Sequence, residues 1–246
     1  MRSIAMTLVA ATLLAAAAAS AQEGAAGTTQ LLVTHVRVPP AKVGMWLELQ
    51  RDQVVPALKK AGLKDYTTYQ TVVGEVGEFV IVRPFDFAEL DRPDPLDRVL
   101  GAGAAALRAK LGECTESMHR SIENRHDDLF LNPGAAEVLF QSRYRAMPGR
   151  ARDYMSFVRT EMYPVMQKAQ KDGTFAGLSV TTTVQGGEPG IIALNMHYQN
   201  FAPLDGPPPV AKTLGPQGTA AFLQKGAGLI TQLDQRILRR LPDLSF

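Results

Sequence analysis

A single cysteine, Cys114, stands in 246 residues, so no disulfide can form within the chain and the fold must be held by an ordinary core. It lies in an Ala/Leu-rich stretch that reads as helix, which makes it a buried, inert thiol rather than a nucleophile. A surplus of one charge is also missing. With 26 Lys+Arg against 24 Asp+Glu, the chain has no bulk electrostatic reason to bind nucleic acid, and no such partner is expected. Past the N-terminus no apolar run approaches the roughly 20 residues that span a bilayer. The local signatures of catalysis are absent as well: no HExxH, CxxC, Gly-rich P-loop or GxSxG occurs. The segment GAGAAALRAKLG from Gly101 has no strand before it and reads as the start of an Ala-rich helix. Of the four histidines, His35 and His197 are the pair that could meet as metal ligands across a shared core, but no third ligand accompanies them, so no metal is expected.

What is present begins with a leader. Met1-Arg2-Ser3 is a short basic start, Ile4 to Ala19 is apolar, and Ala19-Ser20-Ala21 is a small-x-small cleavage site. Residues 1–21 are therefore expected to be a signal peptide, cleaved after Ala21, and the mature protein to be periplasmic or secreted, without a membrane anchor. Removal of Arg2 leaves 25 basic against 24 acidic residues, still near neutral.

The rest of the chain writes itself twice. RDQVVPALKKA, Arg51 to Ala61, returns as RTEMYPVMQKA, Arg159 to Ala169, with the mid-helix proline kept. An offset of 108 matches six of the 25 positions from 37 to 61 without a gap, and a later offset of 114 aligns FAELDRPDPLDRVLG from Phe87 with FAPLDGPPPVAKTLG from Phe201. Two blocks in the same order define a duplicated unit of domain size, too long for a solenoid repeat: repeat 1 over 22–133 and repeat 2 over 134–246.

Each unit reads β-α-β-β-α. In repeat 1 the strand Leu31 to Val38 precedes an amphipathic helix over about 41–61, whose apolar positions Val43, Trp46, Leu47, Val54 and Leu58 follow helical spacing. Pro56 and Pro164 remove a backbone donor and bend these helices. Two strands follow, Tyr66 to Val73 and Glu78 to Phe85, with counterparts from Phe175 and Gly190. Long helices are expected over 96–124 and 212–240, and DDLFL and PDLSF are candidate fourth strands. This order is the split-βαβ, ferredoxin-like arrangement. The predicted fold is α+β: two tandem ferredoxin-like βαββα repeats packed sheet to sheet, each covering the other's bare face.

In element order and duplication, over about residues 30–246, the chain resembles the dimeric α+β-barrel superfamily, in particular its NIPSNAP-like and antibiotic-biosynthesis-monooxygenase-like tandem proteins. The resemblance implies a barrel with an inner cavity and a possible homodimer. Members include cofactor-free monooxygenases and haem proteins. A haem of the chlorite-dismutase kind would need an axial histidine from the helix over 212–240, which has none, so no cofactor is expected.

Strand alternation assigns faces. His35, Arg37, Arg143, Arg145, Asn195 and His197 fall opposite the apolar, helix-facing sets, and the offset of 114 places Arg83 with His197. Several inward cations need acids, water or an anionic ligand beside them, and Glu78 is the nearest acid. The first functional reading is therefore a pocket between the sheets for a small anionic or oxygen-rich organic molecule, bound by His35, Arg37, Arg83, Arg143 and Arg145. The second is a cofactor-independent monooxygenase-like enzyme with His197 and Asn195 at its centre; residue types alone leave open whether the chain is an enzyme. The third is a non-catalytic self-association or partner-binding module, with these faces solvated or in a protein contact.

Overall fold

A computed structural model describes residues 27–188 and 190–246; the expected signal peptide lies outside the described residues. The strands are β1 (Thr28–Arg37), β2 (Thr67–Val73), β3 (Glu78–Pro84), β4 (Ser117–His126), β5 (Val138–Ala146), β6 (Gly177–Gln185), β7 (Ile191–Tyr198) and β8 (Ile230–Arg240). They close into one antiparallel barrel in the order β1-β3-β2-β8-β5-β7-β6-β4. Repeat 1 contributes β4-β1-β3-β2 and repeat 2 contributes β8-β5-β7-β6, joined at two seams, β2 to β8 and β4 to β6. The sheet that each repeat cannot cover alone is thus buried by closure, which also leaves no free edge. Among the described residues no helix is long and apolar enough to cross a membrane.

Helices pack on the outside. In repeat 1 these are α1 (Val43–Leu49), α2 (Val55–Lys60), α3 (Pro95–Leu100) and α4 (Gly103–Cys114); in repeat 2, α5 (Ala151–Phe157), α6 (Tyr163–Lys171) and α7 (Pro209–Gly226). The duplicated proline has a sharper role than a simple bend. A single wide π-turn, Gln50–Val54 or Val158–Met162, precedes it in each repeat. There the N–H of Val55 reaches the Gln50 carbonyl, and that of Tyr163 reaches Val158, five residues back. Each proline then opens the next helical stretch, near whose start a missing donor costs least.

Even-numbered β1 residues such as Val36 pack under the repeat-1 helices with Trp46, Phe79 and Ile81. Odd-numbered ones enter the barrel, where Leu31, Val33, Val80, Leu139 and Leu238 form a cluster drawn from both repeats. The sequence reading of β1, β5 and β7 faces agrees with this arrangement.

Three expectations are corrected. The long helices stop at Cys114 and Gly226, and their C-terminal halves are β4 and β8. The candidate fourth strands are short 3-10 turns, Asp127–Leu129 and Pro242–Leu244. Thirdly, the repeat offset is one residue smaller in the third strand. Arg37 faces Glu78 while Arg145 faces Ile191, so an offset of 108 in the first strand goes with 113, not 114, in the third. A one-residue slip exchanges the faces of a strand. Arg83 therefore corresponds to Met196, not His197, and lies on the helix side.

Leu238 is 1% exposed and sits where β8 meets both β2 and β5. Leu238→Ala should cost about 2–5 kcal/mol in urea unfolding, with the chain still unfolding in one transition. Two transitions, one per repeat, would contradict a shared barrel.

Candidate functional site

The polar residues inside the barrel gather at one end, where β1 and β5 finish and β3, β4, β7 and β8 begin. This mouth is a cavity of about 780 Å³ whose lining includes His35, His119, Glu123, Gln141, Arg143 and Arg236. Its organising group is Glu78, 9% exposed. Its carboxylate meets His35 Nδ1 at 2.8 Å, accepts both hydrogen bonds from Arg236 Nη1 at 3.0 Å, and accepts from Thr71 Oγ1 at 3.2 Å. Burial alone would raise the Glu78 carboxyl, but His35, Arg236 and Thr71 together hold it below the usual range. Asp234 continues the chain of charges. It accepts two bonds of 3.0 Å from Arg143 Nε and a further bond from its Nη2, and lies 3.5 Å from Arg236 Nε. Burial opposes its ionisation, yet Arg143 and Arg236 keep its carboxyl low.

The proposed site residues separate into three groups. His35, Arg143 and Arg145 line the mouth, with Arg145 paired to Glu188. Asn195 and His197 also point inward, but deeper. Asn195 Oδ1 accepts from Gln141 Nε2 at 2.8 Å. His197, at the far end of β7 from the mouth, opposes Leu139 and Gly177, and burial pushes its imidazole down to about 4. Such a ring is neutral at pH 7 and is far from the pKa a general base needs there. The remaining two lie outside the cavity. Arg37 is at the exposed end of β1, on Glu75 at 2.7 Å and Glu116 at 3.4 Å. Arg83 lies on Glu89 at 2.8 Å and against the Phe85 ring, in a separate surface cleft of about 400 Å³ with Arg92 and Arg98.

Sequence reasoning missed His119, Ser121, Glu123, Asp234 and Arg236, because β4 and β8 read as helix. Their strands are polar on both faces, so apolar alternation, the main strand signal, is lost. Asp234, the acid that holds Arg143, came from one of these strands.

A second cavity, of about 600 Å³, lies on the opposite face of the repeat-2 sheet, under α5 and α7. Its walls include Phe140, Tyr144, Phe157, Met162, Met196 and Phe222. The polar groups Ser142 and Gln235, joined by a 3.2 Å hydrogen bond, line its sheet side. The repeats differ at this level of the fold. In repeat 1, Trp46 stacks on Phe79 at 4.3 Å between helix and sheet. The structurally equivalent residues of repeat 2 are Tyr154 and Ile192, which fill less volume. No sequence motif marks this pocket, and the offset of 114 hid the correspondence of Phe79 with Ile192.

The barrel overlays on a proposed monooxygenase from Lactobacillus acidophilus NCFM with a TM-score of 0.56 at 10% identity, covering 89% of this chain and 95% of that one. It overlays on an anthrone oxidase-like protein with a TM-score of 0.57 at 11% identity, covering 89% and 93%. A NIPSNAP family protein from Agrobacterium tumefaciens str. C58 aligns with 38% of this chain and 90% of its own, at 16% identity and a TM-score of 0.31, too loose an overlay to carry an argument. No family model and no curated protein matches the sequence. Identities near one in ten show the fold alone, a closed eight-stranded α+β barrel.

The buried groups set a pH dependence. Glu78 and Asp234 have lowered pKa values in the fold. Their contribution is complete above the unfolded carboxylate values and is lost as pH falls through the folded ones, below about 4. His197 acts in a higher window. The unfolded chain takes up its proton near 6.5 and the folded chain only near 4, so stability falls as pH drops between these values and levels off below, by ~3 kcal/mol in all. Urea midpoints of the wild type should decline from pH 7 to 4.5. His197→Leu should flatten that decline and keep the loss below pH 4; an unchanged slope would contradict a buried neutral ring.

Proposed function

We propose that this protein is an exported binder of a small organic molecule, held in the apolar pocket between α5, α7 and the repeat-2 sheet. The observation that carries this reading is the pocket itself: a concave space of about 600 Å³ with Phe, Met and Tyr walls and a few convergent polar groups, the composition typical of small-molecule sites. Ser142, 2% exposed, and Gln235 offer a hydroxyl and an amide to one oxygen function of the ligand. The folds shared with a proposed monooxygenase and an anthrone oxidase-like protein favour an enzyme of the cofactor-independent monooxygenase type as the alternative use of this pocket. His197 and Asn195 are not its centre in that alternative, because they lie on the other face of the sheet. The leader supports export, with a mature chain that starts at Gln22.

A second reading keeps the ligand between the sheets, as an anionic or oxygen-rich molecule in the barrel mouth. Its supporting observation is the 780 Å³ cavity with Arg143, Arg145, His35 and His119 on its wall. The anionic form is the weaker half of that reading, since Arg143, Arg145 and Arg236 each already hold a carboxylate.

The apolar dye 1-anilinonaphthalene tests the first reading. Its fluorescence should rise on binding to the mature protein, and Leu204→Trp, at the pocket wall, should weaken binding at least tenfold. Arg143→Ala should leave it unchanged. Dye binding that ignores Leu204→Trp and follows Arg143→Ala would move the site to the mouth.

A further inference from the structure

We infer that the barrel mouth is a second site, built to receive a small organic cation such as an alkylammonium on Glu123 and Gln141. The inference deepens the mouth reading above and reverses the sign of its ligand.

The mouth and its wall hold three arginines, Arg143, Arg145 and Arg236, and four carboxylates, Glu78, Glu123, Glu188 and Asp234. With neutral histidines the formal balance is 3 − 4 = −1. Each arginine is already engaged: Arg143 on Asp234, Arg145 on Glu188, Arg236 on Glu78. Glu123 is the carboxylate left over. Among the contacts of the described residues it is held by hydroxyls, Thr181 Oγ1 at 2.7 Å and Ser121 Oγ at 3.4 Å. A half-buried carboxylate held by hydroxyls retains acceptor capacity for a charged donor.

A second group on the same wall asks for the same chemistry. The Gln141 amide nitrogen donates to Asn195 Oδ1 at 2.8 Å, and that bond fixes the amide's orientation. Its oxygen, Oε1, is buried and has no hydrogen-bond partner among the described residues. A buried acceptor without a donor costs about 1–3 kcal/mol, which an N–H or N⁺–H from a ligand offsets. An incoming anion would meet the opposite arrangement: among the described residues each of these arginines already holds a carboxylate, and Gln141 Oε1 is an unpaired acceptor. Ile191, Ala193 and Leu233 add an apolar part to the wall, which suits a short carbon skeleton between polar ends.

Three molecules of one chain length separate the possibilities: 1,4-diaminobutane as the cation, butane-1,4-diol as the neutral oxygen-bearing form and succinate as the anion. Isothermal titration of the mature protein near pH 7 should show saturable binding of the diamine, at least tenfold tighter than the diol or succinate. Glu123→Gln and Gln141→Leu should each weaken it at least tenfold. Thr183 is the register partner of Glu123 on β6, so Thr183→Lys should abolish diamine binding by placing an ammonium beside the carboxylate. It remains informative if either of the other variants fails to fold. Retained 1-anilinonaphthalene binding certifies the fold and keeps the two sites distinct. Tighter binding of succinate or diol, no diamine binding, or diamine binding indifferent to Glu123→Gln and Thr183→Lys would each overturn the inference. Loss of dye binding alone would overturn the apolar-pocket reading and leave this one standing.

Discussion

The carboxylate of Glu78 is where the two halves of the molecule meet. It is supplied by repeat 1, accepts from Thr71 and pairs with His35 of the same repeat, and is clasped by Arg236 of repeat 2. A charge removed from water must be paired and hydrogen-bonded or it destabilises the fold strongly. The pairing of Glu78 is complete only when β8 is docked beside β2. The other seam repeats the device with a weaker bond: Glu123 on β4 accepts from Thr181 on β6. Each seam thus carries a repeat-1 carboxylate that accepts from a repeat-2 donor. The apolar cluster of Leu31, Val33, Val80, Leu139 and Leu238 supplies the bulk of the drive to close, and the polar contacts fix register around it.

Duplication sets what the two repeats share, and divergence sets what each can do. Both keep the wide turn and proline of the first helix, because that helix must wrap the same curved sheet in each. They differ where side chains meet between helix and sheet. Trp46 stacks on Phe79 in repeat 1; the smaller Tyr154 and Ile192 stand at these places in repeat 2, beside a cavity that Tyr154 lines. The pocket of repeat 2 goes with the smaller pair. The barrel interior diverged in another way, since its mouth draws residues from both repeats and belongs to neither.

Much of the fold was legible in the sequence. Period-two alternation in β1, β5 and β7 gave the correct faces for His35, Arg143, Arg145, Asn195 and His197, and the repeated blocks implied two matching units. Arg83 was misplaced by a single residue of offset, since a strand has no tolerance for such a slip. β4 and β8 were illegible for a physical reason. An interior of ion pairs removes the hydrophobic alternation that marks a half-buried strand, and segments such as SMHRSIENRH then read like the continuation of a solvated helix. The candidate site suffered most, because Glu123, Asp234 and Arg236 all lie on those strands. An excess of unpaired cations, argued from the legible strands alone, becomes in three dimensions a paired network with one carboxylate to spare.

A double-mutant cycle on Glu78→Gln and Arg236→Met, read from urea unfolding at pH 7, tests the closure of the barrel most directly. Shared burial of the pair at the seam requires a coupling of about 1–3 kcal/mol, the double variant being less destabilised than the sum of the two singles. Additivity within ~0.5 kcal/mol would mean that the two side chains do not meet, and that the repeats are not joined as one barrel.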